Sequence, residues 1–194
     1  MNNQADSVSV IDTATNTITA NVDVSESEGL GDPTGIVITP DGTKVYVTNS
    51  KFDSKGTVSV IDMATNNVTA KVNVGNNPIG VAVSPGGTKV YVANEYDNNV
   101  SVIDTATNTV TTTVNMGSLP LGIAVTPDGT KVYVINLNTN NVYVINTTTN
   151  TVSATVPVGS QPYRVSVTQD GKKVDVMNED GTVSAIDTAT NTAA

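Results

Sequence analysis

Residues 78–94 read P-I-G-V-A-V-S-P-G-G-T-K-V-Y-V-A-N, and residues 99–108 continue N-V-S-V-I-D-T-A-T-N. Both phrases return along the chain. Pro78, Pro120 and Pro162 stand 42 residues apart, and Val58, Val100 and Val142 keep the same spacing in the second phrase. Self-similarity at such a period marks an array of like packing units. Within the copy at 77–117 the pattern predicts strand A at 80–84, strand B at 89–94, strand C at 99–104 and strand D at 109–115. Val, Ile, Thr and Tyr fill these runs, side chains that suit a pleated, packed surface. Residues 40–43 read P-D-G-T, with copies at 85–88, 127–130 and 169–172. Pro presets the first turn position and Gly accepts a positive φ, so A and B form a tight hairpin, a type I turn closed by a glycine bulge. Between C and D stand Asp12, Asp62, Asp104, Asn146 and Asp187, whose side chains can bond the local backbone and hold the turn.

A four-stranded antiparallel unit cannot bury both faces alone, so the copies stack face to face. Four strands in about 40 to 50 residues is the spacing of β-propeller blades, with strand A innermost. The all-β chain of 194 residues then divides into a half blade at 7–24, full blades at 33–75, 77–117 and 119–159, and a partial blade at 161–187. This is one domain of about four blades, incomplete at both ends. Completion is expected by oligomerisation, making a homo-oligomer, or by intramolecular closure in which 17–24 serves as strand D of a last unit holding only A, B and C.

Strand B spells Tyr46-Val47-Thr48-Asn49, then Tyr91-Val92-Ala93-Asn94, Tyr133-Val134-Ile135-Asn136 and a degenerate Asp175-Val176-Met177-Asn178. With the P-D-G-T-K turn and the V-I-D phrase, this closely resembles the YVTN family of β-propeller repeats over nearly the whole chain. The resemblance implies a propeller, typically seven-bladed, of surface-layer and other extracellular proteins. It also implies a non-catalytic scaffold or binding module for protein or glycan at a cell surface. Relatives that bind haem or carry lyase chemistry do so through His residues, which this chain lacks.

Composition narrows the field further. A net charge of −9 repels phosphate backbones and anionic membranes, and nine basic residues form no cluster, so nucleic acid is excluded as an expected partner. No apolar run approaches membrane length, and no membrane insertion is expected. Without Cys or His the chain offers no thiolate or imidazole for a transition metal and lacks the commonest general base. No catalytic residue, cofactor or metal ligand is therefore assigned. An enzyme, a lyase or hydrolase working through channel carboxylates, is the alternative from another class, and a purely structural array component is a third.

Asp12, Asp62, Asp104 and Asp187 could be read as a cation-binding ring. A turn role fits better, since Asn146 takes the same place and no second carboxylate lies at ligand spacing. Asn67, Asn99 and Asn146 begin N-x-[ST] sequons, glycan sites in a secreted protein or chance matches in a chain rich in Asn and Thr. The irregularities are more telling. Residues 25–32 form an acidic link with Glu26, Glu28 and Asp32, and residues 50–55 insert the only Phe, Phe52. By strand alternation the D-to-A and B-to-C links emerge on one face. That face should gather Phe52, Tyr96, Leu137 and Tyr163 beside the acidic link, a rim suited to recognition. Arg164, the sole Arg, replaces the Gly of strand A at Gly35, Gly80 and Gly122 and could meet an anion in the channel.

Overall fold

The computed structural model describes residues 1–2, 6–25, 31–51 and 54–193. The described elements are all strands. A half blade comes first, with β1 (Ser7–Asp12) and β2 (Thr17–Asp23). The first full blade holds β3 (Asp32–Ile38), β4 (Lys44–Ser50), β5 (Lys55–Asp62) and β6 (Asn67–Asn76). The second holds β7 (Pro78–Val83), β8 (Lys89–Asn94), β9 (Asn99–Asp104) and β10 (Thr109–Asn115). The third holds β11 (Pro120–Val125), β12 (Lys131–Asn136), β13 (Asn141–Asn146) and β14 (Thr151–Pro157). The fourth holds β15 (Pro162–Val167), β16 (Lys173–Asn178), β17 (Val183–Asp187) and β18 (Thr192–Ala193). Each full blade is an antiparallel meander in chain order, so β3, β7, β11 and β15 are each paired on one side only.

The turns behave as their residues dictate. Gly42 donates its N–H to the Thr39 carbonyl at 2.8 Å and takes φ 71°, the type I turn with a left-handed glycine. Asp41 Oδ1 accepts from Thr39 Oγ1 at 2.6 Å and from the Thr43 N–H at 3.0 Å. In the C-to-D turn, Asp12 Oδ1 accepts from the N–H groups of Ala14 and Thr15, and Asn16 donates its N–H to the Asp12 carbonyl. Asn16, Asn66, Asn108, Asn150 and Asn191 all sit at φ between 52° and 56°. Asn tolerates that left-handed conformation better than other side chains, which explains the Asn of every A-T-N phrase.

The blades stack through four hydrophobic clusters that join consecutive units. Tyr46, Val58, Val60 and Val72 of the first blade meet Val90, Val92 and Ile103 of the second. Tyr91 and Tyr133 repeat this at the next two junctions. At the front, Val8, Val22 and Val24 of the half blade meet Val45, Val47 and Ile61. Strand B also reaches across each junction with polar groups. Lys44 Nζ donates to the Thr105 carbonyl at 2.8 Å, Lys89 Nζ to Thr147 at 3.0 Å, and Lys131 Nζ to Thr188. Tyr46 and Tyr133 donate their hydroxyls to Asn108 Oδ1 and Asn191 Oδ1. The apolar bodies of Tyr46 and Tyr133 are thus buried while their hydroxyls find partners, the arrangement that makes a buried Tyr stabilising.

Two expectations about the ends need correction. The last unit is not limited to A, B and C, because β18 pairs with β17 through Ile186↔Ala193 and Asp187↔Thr192. Nor does residue stretch 17–24 close a ring. It pairs along its length with β1, from Ser7↔Asp23 to Asp12↔Thr17, and Val22 and Val24 are buried against the first blade. That face cannot serve the fourth blade as well. The outward face of the fourth blade differs from the inner ones. Strand B there alternates exposed and buried residues, whereas β8 and β12 are covered on both faces. Asp175 stands in its register where the other blades carry Tyr, and Arg164 where they carry Gly. Both polar side chains are exposed in this structure.

The titrating groups set a pH window. Hydrogen bonds within the turns hold Asp12, Asp41, Asp62, Asp104, Asp128, Asp170 and Asp187 below the usual carboxylate value. Their contribution is fully present above about pH 4 and is lost as the pH falls through the depressed values. Burial, with nearby carboxylates, pushes the Tyr46 and Tyr133 hydroxyls up to about 12. That contribution is present below about pH 10 and is lost as the pH rises through the folded value. Urea midpoints measured from pH 2 to 12 should therefore plateau between those limits and fall on both sides. An unchanged midpoint at pH 2.5 would contradict the role given to the turn carboxylates.

Candidate functional site

The B-to-C and D-to-A links do emerge together, and hydrogen bonds lace them into one rim. Glu95 donates its N–H to the Asn77 carbonyl at 3.0 Å, Leu119 to Asn98 Oδ1 at 2.9 Å, and Gln161 to Asn140 Oδ1 at 2.8 Å. The residues just before the strand A prolines, Asn77, Leu119 and Gln161, hold φ of 50°, 41° and 51°. A left-handed Leu is uncommon and persists only where its surroundings impose it. The rim backbone is therefore well determined by bonds between links.

Of the sequence-predicted rim, Glu26, Glu28 and Phe52 lie outside the described residues. Asp32 is exposed at the start of β3, and Tyr96 is exposed on the link after β8. Leu137 lines a pocket of about 280 Å³ with Asn138, Asn140, Ser160, Gln161 and Glu179. Tyr163 and Arg164 line a different one. That second pocket, of about 380 Å³, is the concave wall where the four A strands meet, with Thr34, Ile79, Leu121 and three glycines. Tyr96 and Asp32 line neither. The rim residues therefore share a face but form two neighbouring places, one on the wall and one among the links.

Strand A carries Gly because the next blade's strand A lies against it. A Cβ on Gly80 would overlap the Leu121 carbonyl oxygen, and one on Gly35 the Ile79 carbonyl oxygen. Arg164 stands at the matching place in the fourth blade and lines the concave pocket from there. Its planar guanidinium suits a carboxylate or another planar anionic group. Sequence reading missed Glu95. Burial raises its carboxyl above the usual value, while a hydrogen bond from Asn77 opposes the rise, and Asn77 in turn accepts from Ser50. Asn77 lies 18 residues from Glu95 in the chain, so no local pattern could have shown the pair.

The in-register aspartates face their own turns rather than one another. Among the described residues, no three acidic, Cys or His side chains are placed to hold a metal ion. Of the sequons, Asn67 is exposed, whereas Asn99 accepts from Asn94 Nδ2 at 2.7 Å and Asn146 accepts from the Thr148 and Thr149 N–H groups.

Four radially stacked blades with a common concave wall define an open β-propeller of YVTN type. The chain belongs to the YNCE-like beta-propeller family, whose sequence model matches residues 82–190. A Choice-of-anchor I domain model matches residues 1–118. Comparison with curated proteins gives no match. Among solved structures, Kuenenia stuttgartiensis Hydrazine Synthase is similar with TM-score 0.79 and 28% identity, over 88% of this chain and 49% of that one. A functionally unknown protein from Desulfotomaculum acetoxidans DSM 771 is similar with TM-score 0.82 and 20% identity, over 99% and 62%. The chain thus spans about half to three fifths of the length of these structures.

Proposed function

We propose that this chain is a non-catalytic scaffold whose link-bearing rim binds a protein or glycan at a cell surface, outside the cell. The observation that carries this reading is the laced rim itself, whose links hold exposed Tyr96 and half-buried Leu137 next to the wall that carries exposed Tyr163 and Arg164. Rigid loops that present aromatic and charged groups are the usual dress of a binding surface. Two further points support it. Among the described residues the concave pocket has no carboxylate in its lining, so the lyase or hydrolase reading finds no channel carboxylate there. The match of residues 1–118 to a domain class named for anchoring agrees with a surface setting. The charge of −9 argues against nucleic acid as the partner, and no helix of the described residues is long and apolar enough to cross a membrane.

The test is a glycan array and a surface-protein array probed with the wild-type chain and with Tyr96→Ser/Leu137→Ser. Binding should fall by at least about tenfold, while the melting temperature falls only a few degrees, since Tyr96 is exposed and costs within about 0.5 kcal/mol and Leu137 is only half-buried. A large loss of stability would show that these side chains are core. Undiminished binding would move the site elsewhere.

A further inference from the structure

The pocket among the links of the third and fourth blades has a lining unlike its own copy one junction earlier. It measures about 280 Å³ and is lined by Leu137, Asn138, Asn140, Ser160, Gln161 and Glu179. The places 42 residues back hold Glu95, Tyr96, Asn98, Ser118, Leu119 and Leu137. Gln161 therefore stands where the earlier junction has Leu119, Glu179 where it has Leu137, and Asn138 where it has Tyr96. Both junctions share one backbone course, with Asn98 and Asn140 at φ 53° and 52°, and Leu119 and Gln161 at 41° and 51°. The backbone is repeated and the side chains are not. The pocket lies inside the array, with a described blade on each side.

Its walls are fixed by bonds between the links. Asn140 accepts the Gln161 N–H on its side-chain oxygen at 2.8 Å and the Val158 N–H on its carbonyl at 3.0 Å, which ties the B-to-C link to the D-to-A link. Glu179 donates its N–H to the Ser160 carbonyl at 3.1 Å, and Ser160 donates its own to Asp180 Oδ2 at 2.9 Å. These bonds consume backbone groups and one side-chain oxygen. The Gln161 amide, Asn140 Nδ2, the Ser160 hydroxyl and the Glu179 carboxylate keep no hydrogen-bond partner among the described residues.

We propose that this pocket takes one neutral sugar ring, free or at the end of a glycan chain; the assignment rests on the reading of this rim as a binding surface and names its ligand class. Amides beside a carboxylate supply donors and acceptors close together, and each amide offers both. Vicinal hydroxyls, which also donate and accept, match such a lining, and half-buried Leu137 offers an apolar place for the C–H face of a ring. The size suits a single ring, at the small end of ligand pockets, which begin at about 300 Å³. With Glu179 in the lining and no Lys or Arg, an acidic sugar or a phosphate is disfavoured. One carboxylate among amides is a weak set for a calcium ion, whose affinity follows the count of charged ligands.

The probes are the methyl pyranosides of glucose, galactose, mannose and N-acetylglucosamine, with methyl glucuronide as the acidic control, titrated into the isotope-labelled full chain and followed by its amide resonances. At least one neutral probe should bind saturably in the millimolar range and shift the side-chain amides of Asn138, Asn140 and Gln161. Gln161→Leu and Glu179→Leu install the residues that the earlier junction carries on the same backbone, so the fold is kept, and each should weaken that probe at least about tenfold. The glucuronide should bind at least about tenfold more weakly than the glucoside. An oligosaccharide ending in the preferred sugar supports the site as a glycan-end reader if it binds as well as the methyl glycoside, and as a free-sugar site if it binds worse. No saturable shift from any neutral probe, shifts centred elsewhere, or binding indifferent to both variants overturns the proposal. An array partner lost with Tyr96→Ser yet kept by Gln161→Leu sinks this site and leaves the rim reading standing, whereas arrays and titrations that are both silent sink the rim reading as well.

Discussion

Replacing Gly80 by valine will prise the second and third blades apart. Its Cβ would overlap the Leu121 carbonyl oxygen and press to 3.1 Å from Ile123 Cγ2, and a backbone oxygen at the centre of the array cannot swing aside. Overpacking of this kind costs about 3 kcal/mol or more, and for a chain of this size that is a fall of roughly 6–12 °C in melting temperature. Gly122→Val should cost clearly less, because a Cβ there first meets the movable Ile135 Cδ1 at 3.0 Å and only then Val165 Cγ1 at 3.4 Å. Denaturant midpoints for the two variants decide the matter. If Gly80→Val unfolds within about 0.5 kcal/mol of the parent, the ordinary scatter of harmless substitutions, the close approach of the A strands is not what stabilises the stack.

Truncating Tyr133 will have an effect of the same order. Its side chain is fully buried between the third and fourth blades, and its hydroxyl donates to Asn191. Tyr133→Ala should cost about 3–5 kcal/mol from lost packing and the cavity left behind, and Tyr133→Phe about 1 kcal/mol from the lost hydrogen bond. Tyr133→Asp is the harsher form, placing an unpaired charge where the fourth blade docks. Asp is already present at the equivalent place in β16, where no blade covers it. Limited proteolysis should then release the residues after about 160 while the first two blades resist. A Tyr133→Asp protein that stays intact would show that the fourth blade holds its place without the junction.

What could be read in the sequence follows from what is local. Strands β8, β9 and β10 lie where the K-V-Y-V-A-N, N-V-S-V-I-D and T-V-T-T-T-V-N runs placed them, because alternation and turn residues act over a few positions. Strand β7 begins at Pro78, two residues earlier than read, since Pro can open a strand whose first N–H needs no partner. The Gly of strand A could be aligned in the sequence, but its reason lies in a carbonyl about 40 residues away, at Leu121. The Asn of A-T-N was passed over in favour of the Asp, although the left-handed φ there is the more demanding of the two roles. At the site, exposed Tyr96 and Tyr163 were legible as irregularities in a repeat. The split between wall and links was not, because it depends on how far each link reaches once the blades have stacked.

Junctions that all use the same residues make the inner blades interchangeable parts. Each presents Gly and Tyr forward and receives the preceding blade on its Val and Ile, so a segment of 42 residues can be duplicated or lost by unequal recombination without creating a new kind of interface. The fourth blade stands outside this exchange. With Arg164 and Asp175 on its forward face, a blade copied in behind it in the usual manner would meet a side chain where it needs a gap and a charge where it needs a ring. Inheritance of length in such a gene is therefore elastic in the middle and stiff at this one unit.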